Sequence, residues 1–109
     1  MPLSLPTRRL FFAILHRPSG GFLPAVRGFG FTRTEPTKTE PPRLFAKIGP
    51  CRQALNYWLE GEHFEGLDND EGVTIVKVTP RPERKLSSME IVEIELTPRS
   101  LADAQIRRL

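Results

Sequence analysis

TRRLFFAILHR, residues 7–17, decides how the rest of the chain is read. Its centre, LFFAIL at residues 10–15, is the longest apolar run in the sequence. It is far short of the ~18 residues that a membrane-spanning helix needs. Thr7 is a suitable N-cap, and a short helix from there sets Arg8, Arg9 and Arg17 around Leu10, Phe11, Phe12, Ile14 and Leu15. Read in this way, the stretch is a basic amphipathic helix lying outside the folded part of the protein.

The charge distribution points the same way. Residues 1–34 carry Arg8, Arg9, Arg17, Arg27 and Arg33 with no lysine and no acidic residue, a charge of +5. The remaining 75 residues hold the other eleven basic residues and all thirteen acidic ones, a charge of −2. The sequence pI near 9.5 therefore belongs to the first third. An Arg-rich, acid-free, amphipathic start is similar to a mitochondrial presequence, a resemblance that covers residues 1–36. Arg27-Gly28-Phe29 resembles a processing site cut after Phe29. Arg27, Phe29 and Thr32 together fit the longer two-step pattern, cut after Pro36. The resemblance implies a nuclear-encoded protein of the matrix or the matrix side of the inner membrane.

Other readings of this third are weaker. TRRLFF resembles the twin-arginine export consensus, but His16, Arg17 and Pro18 stop the apolar region after six residues. A secretory signal fails for the same reason, and a basic tail without an address is the plain alternative. RGFGF, residues 27–31, matches the start of the RNA-recognition-motif signature. That motif needs a strand, a helix and a second strand upstream, and only 26 residues precede Arg27. Thr32 and Thr34 also stand where the signature requires an aliphatic and an aromatic residue.

Residues 37–43 are rich in proline and threonine without apolar periodicity and are expected to be a flexible linker. A small α+β domain is expected over residues 44–109, with the order helix, β-hairpin, C-terminal helix. Gly49-Pro50 suits a helix start, and Cys51, Ala54, Leu55, Trp58 and Leu59 form one stripe before Gly61 ends it. VTIVKVTPR (73–81) and IVEIELTPR (91–99) repeat at an eighteen-residue offset and read as the two strands of the hairpin, each stopped by proline. Ser100 and Asp103 begin the last helix, and Leu101, Ala104, Ile106 and Leu109 are placed to pack on the sheet. A domain of this size has a marginal core, which favours completion by a partner.

No residue pattern points to catalysis, a cofactor or a metal. The single cysteine, Cys51, excludes an intrachain disulfide and heads the helix stripe as a buried thiol with no base beside it. Residues 60–72 hold six carboxylates and His63. Asp68-Asn69-Asp70 begins like a calcium loop, but its glycine and twelfth position are wrong. Glu60-x-x-His63 is a lone di-iron half-site where two are required. A solvated acidic loop accounts for the stretch. The expected function is therefore that of a small accessory, assembly or adaptor protein of a mitochondrial complex, acting by protein–protein binding. A mitochondrial ribosomal or RNA-binding subunit is the alternative. Trp58, Tyr57, Arg107 and Arg108 are the candidate partner-contact residues.

Overall fold

A computed structural model describes residues 9–68 and 73–96. The chain forms β1 (Arg9–His16), β2 (Gly21–Phe22), α1 (Ile48–Glu60), β3 (Glu62–Asp68), β4 (Val73–Thr79) and β5 (Met89–Leu96). A 3-10 segment, Gly28–Arg33, lies between β2 and α1. The described fold is mixed α+β, with one helix and two antiparallel sheets, in strand order β2-β1-β5 and β3-β4.

The apolar run is thus a strand where a helix was expected. β1 is the central strand of its sheet, with β5 along its whole length and β2 against Leu15 and His16. A strand sends successive side chains to opposite faces, so an unbroken apolar run suits one covered on both. Ile14 and Ala13, adjacent and on opposite faces, are both buried. Pro18, Ser19 and Gly20 make the turn that a helix would have had to override. Gly20 adopts φ +73 and its N–H donates to His16 O at 2.8 Å.

The expected linker is also structured. Residues 37–45 meet residues 22–26 at two isolated antiparallel bridges, Phe22 with Thr37 and Pro24 with Pro42, and then reach β1 at Phe45. Phe22 and Thr37 exchange two backbone hydrogen bonds, Ala25 N donates to Pro41 O, and Phe12 and Phe45 exchange two more. Prolines are tolerated here because an edge segment can use their carbonyls without needing the N–H they lack. In consequence, residues on both sides of position 36 share one core. Ile14, Leu23 and Phe31 pack with Phe45, Cys51, Ala54, Leu55, Trp58 and Met89.

The α1 stripe is the one read from the sequence: Cys51, Ala54, Leu55 and Trp58 are buried. Lys47 precedes the helix in an extended conformation with no side-chain cap, and Gly61 ends it. The two repeated stretches both form strands, but not with each other. β4 pairs with β3, from Glu62 opposite Thr79 to Asp68 opposite Val73, whereas β5 pairs with β1. The acidic stretch expected to be a solvated loop therefore supplies strand β3. β4 takes the neighbour nearest in sequence, and β1, with its apolar centre at residues 10–15, takes β5. The expected C-terminal helix, with Arg107 and Arg108, lies outside the described residues, as do Asn69 and Asp70.

Candidate functional site

Gly61 sets the geometry of the site. It joins α1 to β3 with φ +135, and a Cβ there would lie 2.1 Å from Thr79 O. The β3–β4 hairpin therefore meets the end of α1 backbone to backbone, with no side chain between them. Thr32 fastens the hairpin to the 3-10 segment. Its Oγ1 accepts the His63 N–H at 2.8 Å and donates to Phe29 O at 2.8 Å. Between helix and hairpin lies a cleft of about 740 Å³.

One wall of the cleft is Pro50, Gln53, Ala54 and Tyr57 of α1, and the other is His63, Glu65 and Val76 of the hairpin. Phe29, Phe31, Arg43 and Phe45 also line it, with Gly28 and Thr32. Buried His63 is the hub. Phe29 stacks on it at 6.1 Å with the rings 3° from parallel, and Tyr57 meets it edge-on at 5.7 Å. His63 Nδ1 lies 3.2 Å from Gly61 O, and Nε2 lies 3.2 Å from Glu60 Oε2. The Glu60-x-x-His63 spacing thus yields a hydrogen-bonded pair that orients the ring. Among the described residues, no three His, Cys, Asp or Glu side chains gather in a metal-binding arrangement.

The arginines divide into two groups. Arg84 is buried and structural. Its guanidinium donates to Thr32 O at 2.8 Å and to Trp58 O at 2.7 Å, and lies 4.1 Å from the Trp58 ring centroid. In this position it satisfies a carbonyl of the last turn of α1 and covers the indole. Burial pulls its pKa below the ordinary arginine value, and Glu35 at 3.6 Å opposes that shift. Arg81 binds Glu83, Glu35 and Glu62, and hydrogen bonds to Glu83 first and then Glu35 raise its pKa. Arg43 lines the cleft, Arg27 is near enough to act on its charge, Arg33 lies over Phe64 on the other face of the hairpin, and none of the three has such a partner. Among the described residues, no carboxylate lies within ion-pair distance of any of them. Arg43 sits between Phe31 and Phe45, 4.7 and 4.6 Å from their centroids, with one long hydrogen bond to Val26 O at 3.4 Å. Burial, and then the neighbouring charge of Arg27, lower its pKa. Arg33 lies over Phe64 at 4.9 Å.

The residues singled out from the sequence take different places. Trp58, a candidate partner contact, is 2% exposed and donates from Nε1 to Thr34 O at 2.9 Å, so it is a core residue. Tyr57 is 46% exposed on the cleft wall. Arg27 precedes the 3-10 segment without a side-chain capping bond, Phe29 lies within it at 39% exposure, and Thr32 is buried. Cys51 is buried and its thiol is pushed up to about 11, chiefly by burial. His16 Nδ1 and Ser19 Oγ, 2.7 Å apart, close the β1–β2 turn, where Ser19 Oγ also accepts the Gly21 N–H. Arg43 and Phe45 carry no functional signal in the sequence, and Phe31 stands out there only as part of RGFGF. Arg43 and Phe45 are near neighbours in the chain, and Phe31 joins them only through the fold. No described helix is long and apolar enough to cross a membrane. Comparison with known protein families, curated proteins and solved structures finds no match to this chain.

Proposed function

We propose that this protein is a small binding protein that seats a segment of a partner polypeptide in the cleft between α1 and the β3–β4 hairpin. The observation that carries the reading is the gathering of half-exposed Phe29, Tyr57 and Val76 around one concavity. Exposed apolar side chains are ordinary when scattered, but collected in a hollow of this size they favour a docking site. The polar groups beneath them are committed to structure: Thr32 to two backbone partners, and His63 to Gly61 and Glu60. A role in recognition therefore accounts for the site better than chemistry does.

Panning displayed peptides against the full chain tests this reading. Binders should emerge whose affinity Tyr57→Ala and Phe29→Ala each reduce by about tenfold or more without unfolding the protein. If every binder is indifferent to both substitutions, the cleft is not the docking site.

The same reading makes the protein an accessory or adaptor subunit in mitochondria, on the strength of the +5, acid-free first third. Since Ile14, Leu23 and Phe31 are core residues, that setting requires residues 9–36 to be kept rather than cut away. A full-length fluorescent fusion should enter mitochondria, and Arg8→Glu with Arg9→Glu should prevent it. A cytosolic wild-type fusion would refute the location and leave the cleft intact.

A further inference from the structure

We propose that the cleft recognises an acidic anchor: a carboxylate carried by the partner polypeptide close to the apolar or aromatic side chain that fills the hollow. The inference rests on the cleft being a polypeptide-docking site and names what that site selects. Its basis is the contrast between the arginines.

Where Arg81 and Arg84 hold the fold together, the chain supplies the counter-charge. Arg81 has three carboxylates, and Arg84 has Glu35 together with two carbonyls at hydrogen-bonding distance. Among the described residues no carboxylate pairs with Arg43, although Glu65 stands on the facing wall of the same cleft. Arg43 is partly desolvated between two phenylalanine rings, close enough to Arg27 to feel its charge, with a single hydrogen bond of 3.4 Å. A guanidinium offers five N–H donors, so most of the capacity of Arg43 is unspent. Two like charges held together without a carboxylate disfavour the empty state, and an incoming anion relieves both. The flanking rings hold the Arg43 fork in one orientation, which is the pre-organisation that bidentate carboxylate binding rewards.

A carboxylate suits the site better than a chain of phosphates. Glu65 stands on the hairpin wall, and the Glu60 carboxylate lies behind His63. A nucleic-acid strand threaded along the cleft would meet these negative groups at the far wall. A peptide can place one carboxylate at Arg43 and an uncharged ring against Phe29 and Tyr57. Charge complementarity then fixes the direction of the bound segment.

The test uses the full chain and two matched peptide libraries. Each has a fixed tryptophan or leucine; the first carries aspartate and glutamate among its flanking residues, the second asparagine and glutamine instead. Binding of labelled selected peptides is read by fluorescence anisotropy. Binders should come from the acidic library, and changing their carboxylate to the amide should weaken them by about tenfold. Arg27→Gln combined with Arg43→Gln should abolish that difference, whereas Arg43→Lys should retain part of it. Added salt should weaken the acidic peptide and spare its amide twin. Arg27 is exposed, so Arg27→Gln alone gives a reading free of any folding defect. Binders that need Tyr57 but show no acidic preference would overturn the anchor and leave the docking site standing. Absence of any Tyr57-dependent binder would overturn the docking site itself. Tighter, Arg43-dependent binding of labelled oligouridylate would overturn the carboxylate in favour of phosphate.

Discussion

VTIVKVTPR and IVEIELTPR are close copies, yet β4 and β5 lead different lives. β5 lies against the central strand of a sheet whose opposite partner is held by the bridges between residues 22–26 and 37–45, and Ile91 packs on the core. β4 is half of a two-stranded hairpin, and its Val76 and Val78 remain 48% and 43% exposed. The positions equivalent to those valines in β5, Ile94 and Leu96, are half-buried. The β-branched pattern secures strand conformation in both. The neighbour decides everything else, including which copy becomes core and which becomes the wall of a cleft.

The harshest way to break this comparison is to remove the neighbour. A chain beginning at Gly30 or Thr37 lacks β1 and β2 and leaves β5 without a partner. It should lose cooperative thermal unfolding, whereas the intact chain shows a single transition. A truncated chain that melts cooperatively at the same temperature would show that β1 is dispensable.

Next in size is Gly61→Ala. The new Cβ would meet Thr79 O in a backbone conformation that suits only glycine, and separating helix from hairpin should cost more than about 3 kcal/mol. Urea denaturation gives the loss, and the signal of Tyr57 and Trp58 in near-ultraviolet circular dichroism reports the altered contact.

Arg84→Ala comes third. It strands the Thr32 and Trp58 carbonyls and bares the indole face, an expected loss of about 2–4 kcal/mol. Arg84→Lys should recover less than half, because an ammonium cannot span both acceptors and cover the ring as the planar fork does.

A direct comparison of the copies is gentler. Ile94→Thr should cost about 1–2 kcal/mol, while the equivalent Val76→Thr should stay within about 0.5 kcal/mol of wild type. Equal costs would mean that the two strands are buried alike.

The smallest effect is a pH dependence. Burial raises the Cys51 thiol from 9.0 to about 11, so the folded protein holds this proton more tightly than the unfolded chain does. The resulting stability is complete below the unfolded value and is lost as pH rises from about 9 toward 11. Cys51→Val should remove that part of the alkaline destabilisation, and the native thiol should resist alkylation at pH 8.

How much of this was legible depended on the range of the cause. The α1 stripe was readable because Cys51, Ala54, Leu55 and Trp58 obey a local period, and both repeats were readable as strands for the same kind of reason. β1 was misread because arginines flanking LFFAIL fit a basic helix and the charge asymmetry reinforced that view. The correcting signal was present: a six-residue apolar run closed by Pro18-Ser19-Gly20-Gly21 is also the mark of a buried strand. β3 was hidden by its carboxylates, since Glu62 and Glu65 look like loop residues until Thr79 and Val76 lie opposite them. Of the site, Tyr57, Phe29 and His63 had been noticed separately, each for another reason. Nothing local brings them together. Their meeting depends on Gly61 and Thr32, whose importance lies in contacts far along the chain.

The pairing of β1 with β5 also has a consequence in time. Each residue of β1 finds its partner roughly eighty positions later in the chain. At about 5–20 residues per second of synthesis, the first strand waits on the order of 4–16 s before its mate exists. Throughout that interval LFFAIL, next to Arg9 and Arg17, has only β2 and Phe45 as partners and lacks the strand that covers its whole length. A single stretch thus spends its first seconds without the long partner that makes it a central strand once that partner has been made.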